Sequence, residues 1–312
     1  MKFWPFTGCC AILIVVFDHV EIAFMTKYEI RALTAGELGD AVNWAGREGW
    51  NPGIHDAECF QTTDPAGFLG GFLDGEMIAS VSAVNYDDAF SFLGFYIVRP
   101  EFRGSGHGLE IAQHAIAHCQ GRNMGLDGVV EQQDNYRKSG FSFAYNNYRF
   151  TGSVARILAK LGQISTDQVS ELRDVGDDLK SYDRKLFPAP RDAFLQSWIS
   201  APSHISRAFL DDGQIRGYVT LRPCQSGYKV GPLFADNPEI AQALLTTALN
   251  AVPKDHGNRD VFIDMPQPNA QAFALAEKLE LEKVFETARM YSDHEPDIDL
   301  NRIFGVTSFE LG

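Results

Sequence analysis

The chain has 312 residues, a formal net charge of −14 and a composition of 45% hydrophobic and 22% charged residues, which is typical of a globular protein large enough for two ordinary domains. The acidic balance argues against a nucleic-acid-binding protein, since that function needs a basic face. The five cysteines show no C-x-x-C spacing, so we expect free thiols and a cytoplasmic location.

The first apolar run, residues 9–17, resembles the core of a signal peptide. It is too short to cross a bilayer, and no small-x-small cleavage site follows it. Met25 stands directly before the first strand pattern, so we expect residues 1–24 to be an upstream extension or a disordered N-terminus. A membrane anchor is the alternative, although we expect no membrane partner.

Three strands are predicted between residues 67 and 98, after an earlier strand that begins near residue 28. The first two, residues 67–73 and 76–85, flank Asp74-Gly75, a strong two-residue hairpin signal. The third, residues 89–98, ends in a continuous apolar run. Helices are expected between that earlier strand and the hairpin.

A glycine-rich turn follows the third strand and precedes an amphipathic helix. It reads Arg103-Gly104-Ser105-Gly106-His107-Gly108. A helix N-terminus offers free N–H groups and the positive end of a dipole, and glycines let a pyrophosphate approach the backbone. The spacing fits neither a Walker loop nor a dinucleotide fingerprint. The turn is therefore predicted to bind another diphosphate, or else to be a glycine-rich turn without a ligand.

A second motif, Tyr136-Arg137-Lys138-Ser139-Gly140-Phe141, follows a short strand near residues 126–130. Together with Arg-x-x-Gly-x-Gly at residues 103–108 and the order of elements, it resembles the GNAT superfamily of acyl-CoA-dependent N-acyltransferases over residues 28–150. The resemblance implies an α/β (α+β) fold with a mixed, splayed central sheet flanked by helices. It implies acetyl-CoA as co-substrate. His114 and His118 stand four apart on the predicted helix but have no third ligand nearby in the sequence, so we expect no metal site.

The resemblance also implies roles for particular residues. The acyl arm would lie where the third strand separates from its neighbour, with a backbone N–H of Ile97 or Val98 on the thioester oxygen. Tyr136 would protonate the leaving thiolate as general acid. Val129 stands where many members have Asn, so the pantetheine contact is assigned to Asn135, with Gln132 or Gln133 as alternatives. The residues expected to bind the co-substrate are Ile97, Val98, Arg103, Gly104, Ser105, Gly106, His107, Gly108 and Asn135.

The general base and the acceptor site carry weaker signals. The polar loop at residues 50–56 lies where this fold borders its acceptor, so Trp50, Asn51 and Asp56 are candidate substrate-binding residues. His55, with a suitable pKa, and Glu131, at a strand end, are candidate bases. Each is alternatively an ordinary loop or capping residue.

The second half repeats the first weakly. Residues 209–215 resemble residues 72–78, and Arg289 aligns with Arg149. Residues 234–239 lack the arginine and the glycines, and Ala276 replaces Tyr136. We therefore expect tandem GNAT folds, with an acetyltransferase domain at 25–150, a connector at 151–181 and a degenerate GNAT-like domain at 182–312. The degenerate domain should bind no coenzyme A and should line or cover the acceptor cleft.

The function predicted is transfer of an acetyl group from acetyl-CoA to a primary amine of a small molecule, by direct attack in a ternary complex. A non-catalytic acyl-CoA-binding regulator is one alternative. A protein N-acetyltransferase with a C-terminal recruitment domain is another. We expect a small-molecule amine acceptor, no nucleic acid, and a monomer or homodimer.

Overall fold

The computed structural model describes residues 27–312, and the prediction made for residues 1–24 lies outside them. The first half contains β1 (Tyr28–Ala32), α1 (Ala35–Arg47), α2 (Asp56–Gln61), β2 (Phe68–Leu73), β3 (Glu76–Asn85), β4 (Phe90–Val98), α3 (His107–His118), β5 (Asn123–Val129), α4 (Gln133–Lys138) and β6 (Ser142–Ser153). No helix in the described range is both long and apolar enough to cross a bilayer.

The second half largely repeats this order. It contains α5 (Val154–Leu161), β7 (Val169–Glu171), α6 (Asp177–Asp183), α7 (Asp192–Ser200), β8 (Ile205–Asp211), β9 (Gln214–Pro223), β10 (Tyr228–Ala235), α8 (Pro238–Asn250), β11 (Asp260–Pro266), α9 (Ala270–Lys278), β12 (Glu282–Tyr291) and β13 (Ile303–Gly305). The hairpin predicted at Asp74-Gly75 is present, since Leu73 pairs with Glu76.

All strands join one mixed sheet, in the order β1-β2-β3-β4-β5-β12-β6-β11-β10-β9-β8-β7, with β13 beside β10. The two halves exchange their last long strands: β12 lies against β5 of the first half, and β6 lies against β11 of the second. Position 150 falls inside β6, so the halves share one sheet there. The division at residues 25–150, 151–181 and 182–312 stays a prediction about the repeat.

A gap opens between β4 and β5. The two strands pair in parallel only from Phe90 to Leu93, and then separate. Within β4, residues 95 and 96 together oppose Val81 of β3, and Phe95 has a φ of 47°. This is a β-bulge, which bends the strand and redirects its side chains. The splayed mixed sheet flanked by helices is thus confirmed.

The corresponding gap between β10 and β11 is filled. Those strands pair from Tyr228 to Val230 and then separate, but β13 enters between them. Leu233 of β10 pairs with Gly305, and the Val306 N–H donates to the Asp264 carbonyl of β11 at 2.8 Å. Residues 303–306 therefore occupy the place where the first half is open.

The two faces of the first-half sheet are covered differently. Helix α3 packs on one face, where Ala79, Val81 and Ile111 form a small core. Helices α1, α2 and α7 cover the opposite face together with residues 306–311, in a larger core that includes Phe95 and Phe309. Helix α3 therefore lies on one face of the sheet. The polar loop at residues 50–56, called the acceptor-side loop below, lies on the opposite face.

Candidate active site

The glycine-rich turn leads into the N-terminus of α3. Gly104 and Gly106 have φ values of 82° and 93°, a region that favours glycine. Gly106 is the N-cap residue, and no side chain of residues 27–312 caps the helix. The first-turn N–H groups therefore remain available to an anion, as a pyrophosphate site requires.

Arg103 closes the turn against the neighbouring strand. Its Nε donates to the Val98 carbonyl at 2.8 Å, and its Nη2 donates to Glu48 Oε1 at 2.7 Å. The guanidinium remains half exposed, with its charge partly balanced by Glu48. It stands at the mouth of the gap, where a cation would favour a diphosphate.

Two tyrosines that the sequence analysis did not identify line this turn. The Tyr28 hydroxyl donates to the His107 carbonyl at 3.1 Å, and the two rings lie 4.3 Å apart. Tyr96 lies under Gly108, since a Cβ atom there would be 2.8 Å from its hydroxyl oxygen. Tyr96 stands out in the sequence only as a polar aromatic inside an apolar run, which is a weak signal.

Strand register distinguishes between the two candidate oxyanion donors. The Arg99 N–H donates to the Ile78 carbonyl at 2.9 Å, and Ile97 is paired with Ser80. Backbone groups alternate along an antiparallel strand, so Ile97 faces β3 while the N–H of Val98 faces the gap. Val98 is the residue of the pair whose N–H can reach a thioester placed there.

Tyr136 of α4 packs on the last part of β5. A Cβ atom on Gly128 would lie 2.2 Å from its ring, so this close contact requires glycine. Burial raises the pKa of Tyr136 to about 12, and the neighbouring Tyr96 adds to the shift. The phenol is therefore protonated at neutral pH, as a proton donor to a thiolate must be.

This pKa predicts a pH dependence. Because a group with a raised pKa keeps its proton until the pH passes that value, Tyr136 should remain a donor throughout pH 6–10. We expect the rate ratio of wild type to Tyr136→Phe to stay constant over that range when kcat is measured at saturating co-substrate. A ratio that declines towards one with a midpoint near 10 would contradict the assignment.

Of the remaining candidates, Glu131 and Asn135 lie near α4 and are exposed, whereas His55 lies near α2 and is half-buried. Glu131 lies in a short turn after β5, and the Asn135 side chain donates to Gln132 Oε1 at 2.7 Å. His55 precedes α2, with its Nδ1 3.6 Å from Glu58 Oε2 and its ring 6.3 Å from that of His204. Their roles as bases or as a pantetheine contact stay predictions.

The acceptor-side loop binds the second half. Asp56 is fully buried, and its Oδ1 accepts from Arg222 Nε at 2.9 Å. Asn51, with a φ of 50°, donates to the Ser226 carbonyl at 2.8 Å. The Trp50 carbonyl accepts from Arg149 and Lys229 at 2.8 and 3.1 Å. These contacts fix the loop, and a direct role of Trp50, Asn51 or Asp56 in substrate binding stays a prediction.

The second half differs at the equivalent helix start. Asn237 caps α8 by accepting from the Ile240 N–H at 2.9 Å, and Pro238 follows at the first helical position. The N–H groups that α3 leaves free are thus partly satisfied here. Ala276 is buried in α9, and β13 fills the gap. The second half thus differs from the first at the helix start, at the tyrosine position and at the gap, and the expectation that it binds no coenzyme A stays a prediction.

His114 and His118, two of the three histidines of α3, have protein partners. His114 Nδ1 lies 3.1 Å from the Glu110 carbonyl, and His118 Nε2 lies 3.2 Å from Asp64 Oδ2. Across residues 27–312, no group of three or more His, Cys, Asp or Glu side chains is placed to hold a metal ion.

Two family models match this chain. One, described as the acetyltransferase (GNAT) family, matches residues 36–141, and another, described as an acetyltransferase (GNAT) domain, matches residues 179–305. Holothin acyltransferase of Pseudoalteromonas sp. (strain SANK 73390) is 35% identical over 272 residues, which cover 86% of this chain and 89% of the relative.

Solved structures agree with the fold. A putative acetyltransferase from Pyrococcus horikoshii superimposes with a TM-score of 0.76 at 20% identity, covering 95% of this chain and all of that one. A tandem GNAT protein from the clavulanic acid biosynthesis pathway superimposes with a TM-score of 0.61 at 12% identity, and the match covers 87% of this chain and all of that one. The chain belongs to the GNAT superfamily of acetyltransferases and carries two GNAT domains.

Proposed function

We propose that this GNAT acyltransferase moves an acetyl group from acetyl-CoA to a primary amine of a small molecule, by direct attack in a ternary complex. The observation that carries the proposal is the uncapped N-terminus of α3 beside the gap between β4 and β5, with Tyr136 packed on the β5 side of that gap. The glycine turn would hold the pyrophosphate, and the acyl arm would enter the gap.

The residues around the gap supply the parts that the reaction needs. The N–H of Val98 would bind the thioester oxygen as negative charge develops there. The amine nitrogen would attack the carbonyl carbon, and the carbon–sulfur bond would break as Tyr136 donates its proton to the sulfur. The exchanged strands and the buried Asp56–Arg222 pair support a second half that completes the site rather than a separate recruitment module.

An acceptor screen tests the proposal. Acetyl-CoA would be incubated with the full chain and holothin, polyamines, amino acids or amino sugars, and free CoA would be measured. Holothin is included because a relative is named for it. Release that depends on one of these amines, together with an acetylated product by mass spectrometry, is the expected result. Tight CoA binding without release for any amine would instead favour the regulator.

A further inference from the structure

Tyr96 of β4 has a hydroxyl group that the described chain does not use. The residue is 39% exposed, and its hydroxyl makes no hydrogen bond with any of residues 27–312. By contrast, the nearby Tyr28 hydroxyl donates to the His107 carbonyl. A phenol hydroxyl can both donate and accept, so Tyr96 keeps a donor and an acceptor available to a ligand.

The β-bulge turns Tyr96 towards α3. Leu93 packs on the α3 side of the sheet, so regular alternation along β4 would place Phe95 on that side and Tyr96 on the other. The extra residue reverses this order. Phe95 enters the core on the opposite face, and the Tyr96 hydroxyl lies under Gly108, the second residue of α3. The bulge that accompanies the separation of β4 from β5 therefore also brings a phenol to the first turn of α3.

Tyr136 lies on the same face of the sheet, on the β5 side of the gap. It packs with Leu93 and Met124, which also border the core beneath α3. Burial is the main cause that raises the pKa of Tyr28 and of Tyr136, and the neighbouring Tyr96 adds to both shifts. Tyr96 is therefore next to the helix start that would hold the diphosphate and near the phenol that would protonate the sulfur.

Coenzyme A links its diphosphate to its sulfur through the pantetheine arm, which contains two amide groups. An arm that runs from α3 to Tyr136 passes Tyr96. On the β5 side of the gap, Val129 has no polar side chain, and the exposed Asn135 amide already donates to Gln132 at 2.7 Å. An amide that leaves water without a new partner is costly, and the free Tyr96 hydroxyl can supply that partner.

We propose that the Tyr96 hydroxyl binds the pantetheine arm of acetyl-CoA and replaces the polar contact that Val129 cannot make. This inference rests on the proposed function. Tyr96 forms one hydrogen bond with an amide of the arm and takes no part in the proton transfer. Because the contact is the same before and during the reaction, it strengthens donor binding without changing the rate of the bound complex.

The test compares Tyr96→Phe with wild type in the full chain by calorimetry, with two ligands. CoA carries the arm, whereas 3′-phosphoadenosine 5′-diphosphate carries the same diphosphate without it. The variant should bind CoA about 3- to 10-fold more weakly, the range of one lost neutral hydrogen bond. It should bind the ligand without the arm as wild type does. A merely structural change at α3 would weaken both ligands alike.

Steady-state kinetics and a control variant complete the test. With an acceptor from the screen, Tyr96→Phe should raise KM for acetyl-CoA by the same factor and leave kcat unchanged, as expected when a uniform binding contact is lost. Tyr148→Phe removes a half-buried hydroxyl of β6, beside Phe273 of α9, and should bind both ligands as wild type does.

The outcomes separate the two proposals. No CoA binding by wild type would overturn the proposed function, and this inference with it. Unchanged CoA affinity in Tyr96→Phe, or an equal loss for both ligands, would overturn the role of Tyr96 alone. CoA binding that depends on the Tyr96 hydroxyl, without acetyl transfer to any amine, would support the contact and contradict the proposed transfer.

Discussion

Tyr136→Phe should lower kcat about 10²-fold, because the leaving thiolate loses its proton donor. The hydroxyl is the only group removed, and the ring that packs on Gly128 remains. CoA affinity should therefore change little. Stopped-time measurement of CoA release at saturating acetyl-CoA gives kcat, and calorimetry gives the affinity.

Tyr148→Phe is a matched control for this variant. Tyr148 is a half-buried tyrosine of β6, and among residues 27–312 its hydroxyl accepts only a long hydrogen bond of 3.4 Å, from Asn146. Its replacement should leave turnover unchanged. An unchanged rate in Tyr136→Phe as well would reduce Tyr136 to a packing residue against the co-substrate.

Arg289→Leu should destabilise the whole chain by about 3–5 kcal/mol, because it leaves the Asp127 charge buried and unpaired. Arg289 on β12 donates to Asp127 on β5 through Nε and Nη2, at 2.8 and 2.6 Å. The pair therefore joins a strand of the second half to the sheet of the first. For a chain of this size, the loss corresponds to a fall of about 10 °C in melting temperature.

Arg137→Leu is the control for the melting experiment. Arg137 is exposed and pairs with Asp134 on the same short helix, so its loss should cost less than about 1 kcal/mol. Equal melting temperatures for wild type and Arg289→Leu would contradict a stabilising role for the exchanged strand.

Truncation at residue 165 is a less direct test of the exchange. Arg149 of β6 pairs with Asp264 of β11 as Arg289 pairs with Asp127 of β5. In a fragment without β12, β6 could take the empty place beside β5 and bring Arg149 to Asp127. A soluble fragment would therefore show that the sheet can be completed differently, and not that the second half is dispensable.

The same equivalence explains why sequence patterns did not reveal the exchange. The repeat aligns Arg149 with Arg289, and each donates to a buried carboxylate on a neighbouring strand. Local patterns specify a strand with an inward arginine but not which half it joins. The order of elements, the glycine turn and Tyr136 were predictable because each depends on short-range geometry: a helix start, a turn, or one contact with β5.

The acceptor face was less predictable for a different reason. In the sequence, Asp56 looks like an ordinary polar loop residue. Its burial depends on the contact with Arg222, which lies far along the chain. The segment at residues 306–311 is likewise buried by β4 and by helices of both halves. Burial by distant segments produces no hydrophobic periodicity in the local sequence, so these residues are recognised only from the three-dimensional contacts.

Calorimetric titration of the full chain with coenzyme A tests the central claim most directly, namely that one donor site lies in the first half. We expect one molecule per chain, and no binding in the Gly106→Glu, Gly108→Glu double variant, whose side chains would fill the turn and repel the diphosphate. Glu239→Gln, at the equivalent start of α8, should bind as wild type does. Two equivalent sites, or binding that survives the double variant, would contradict the account.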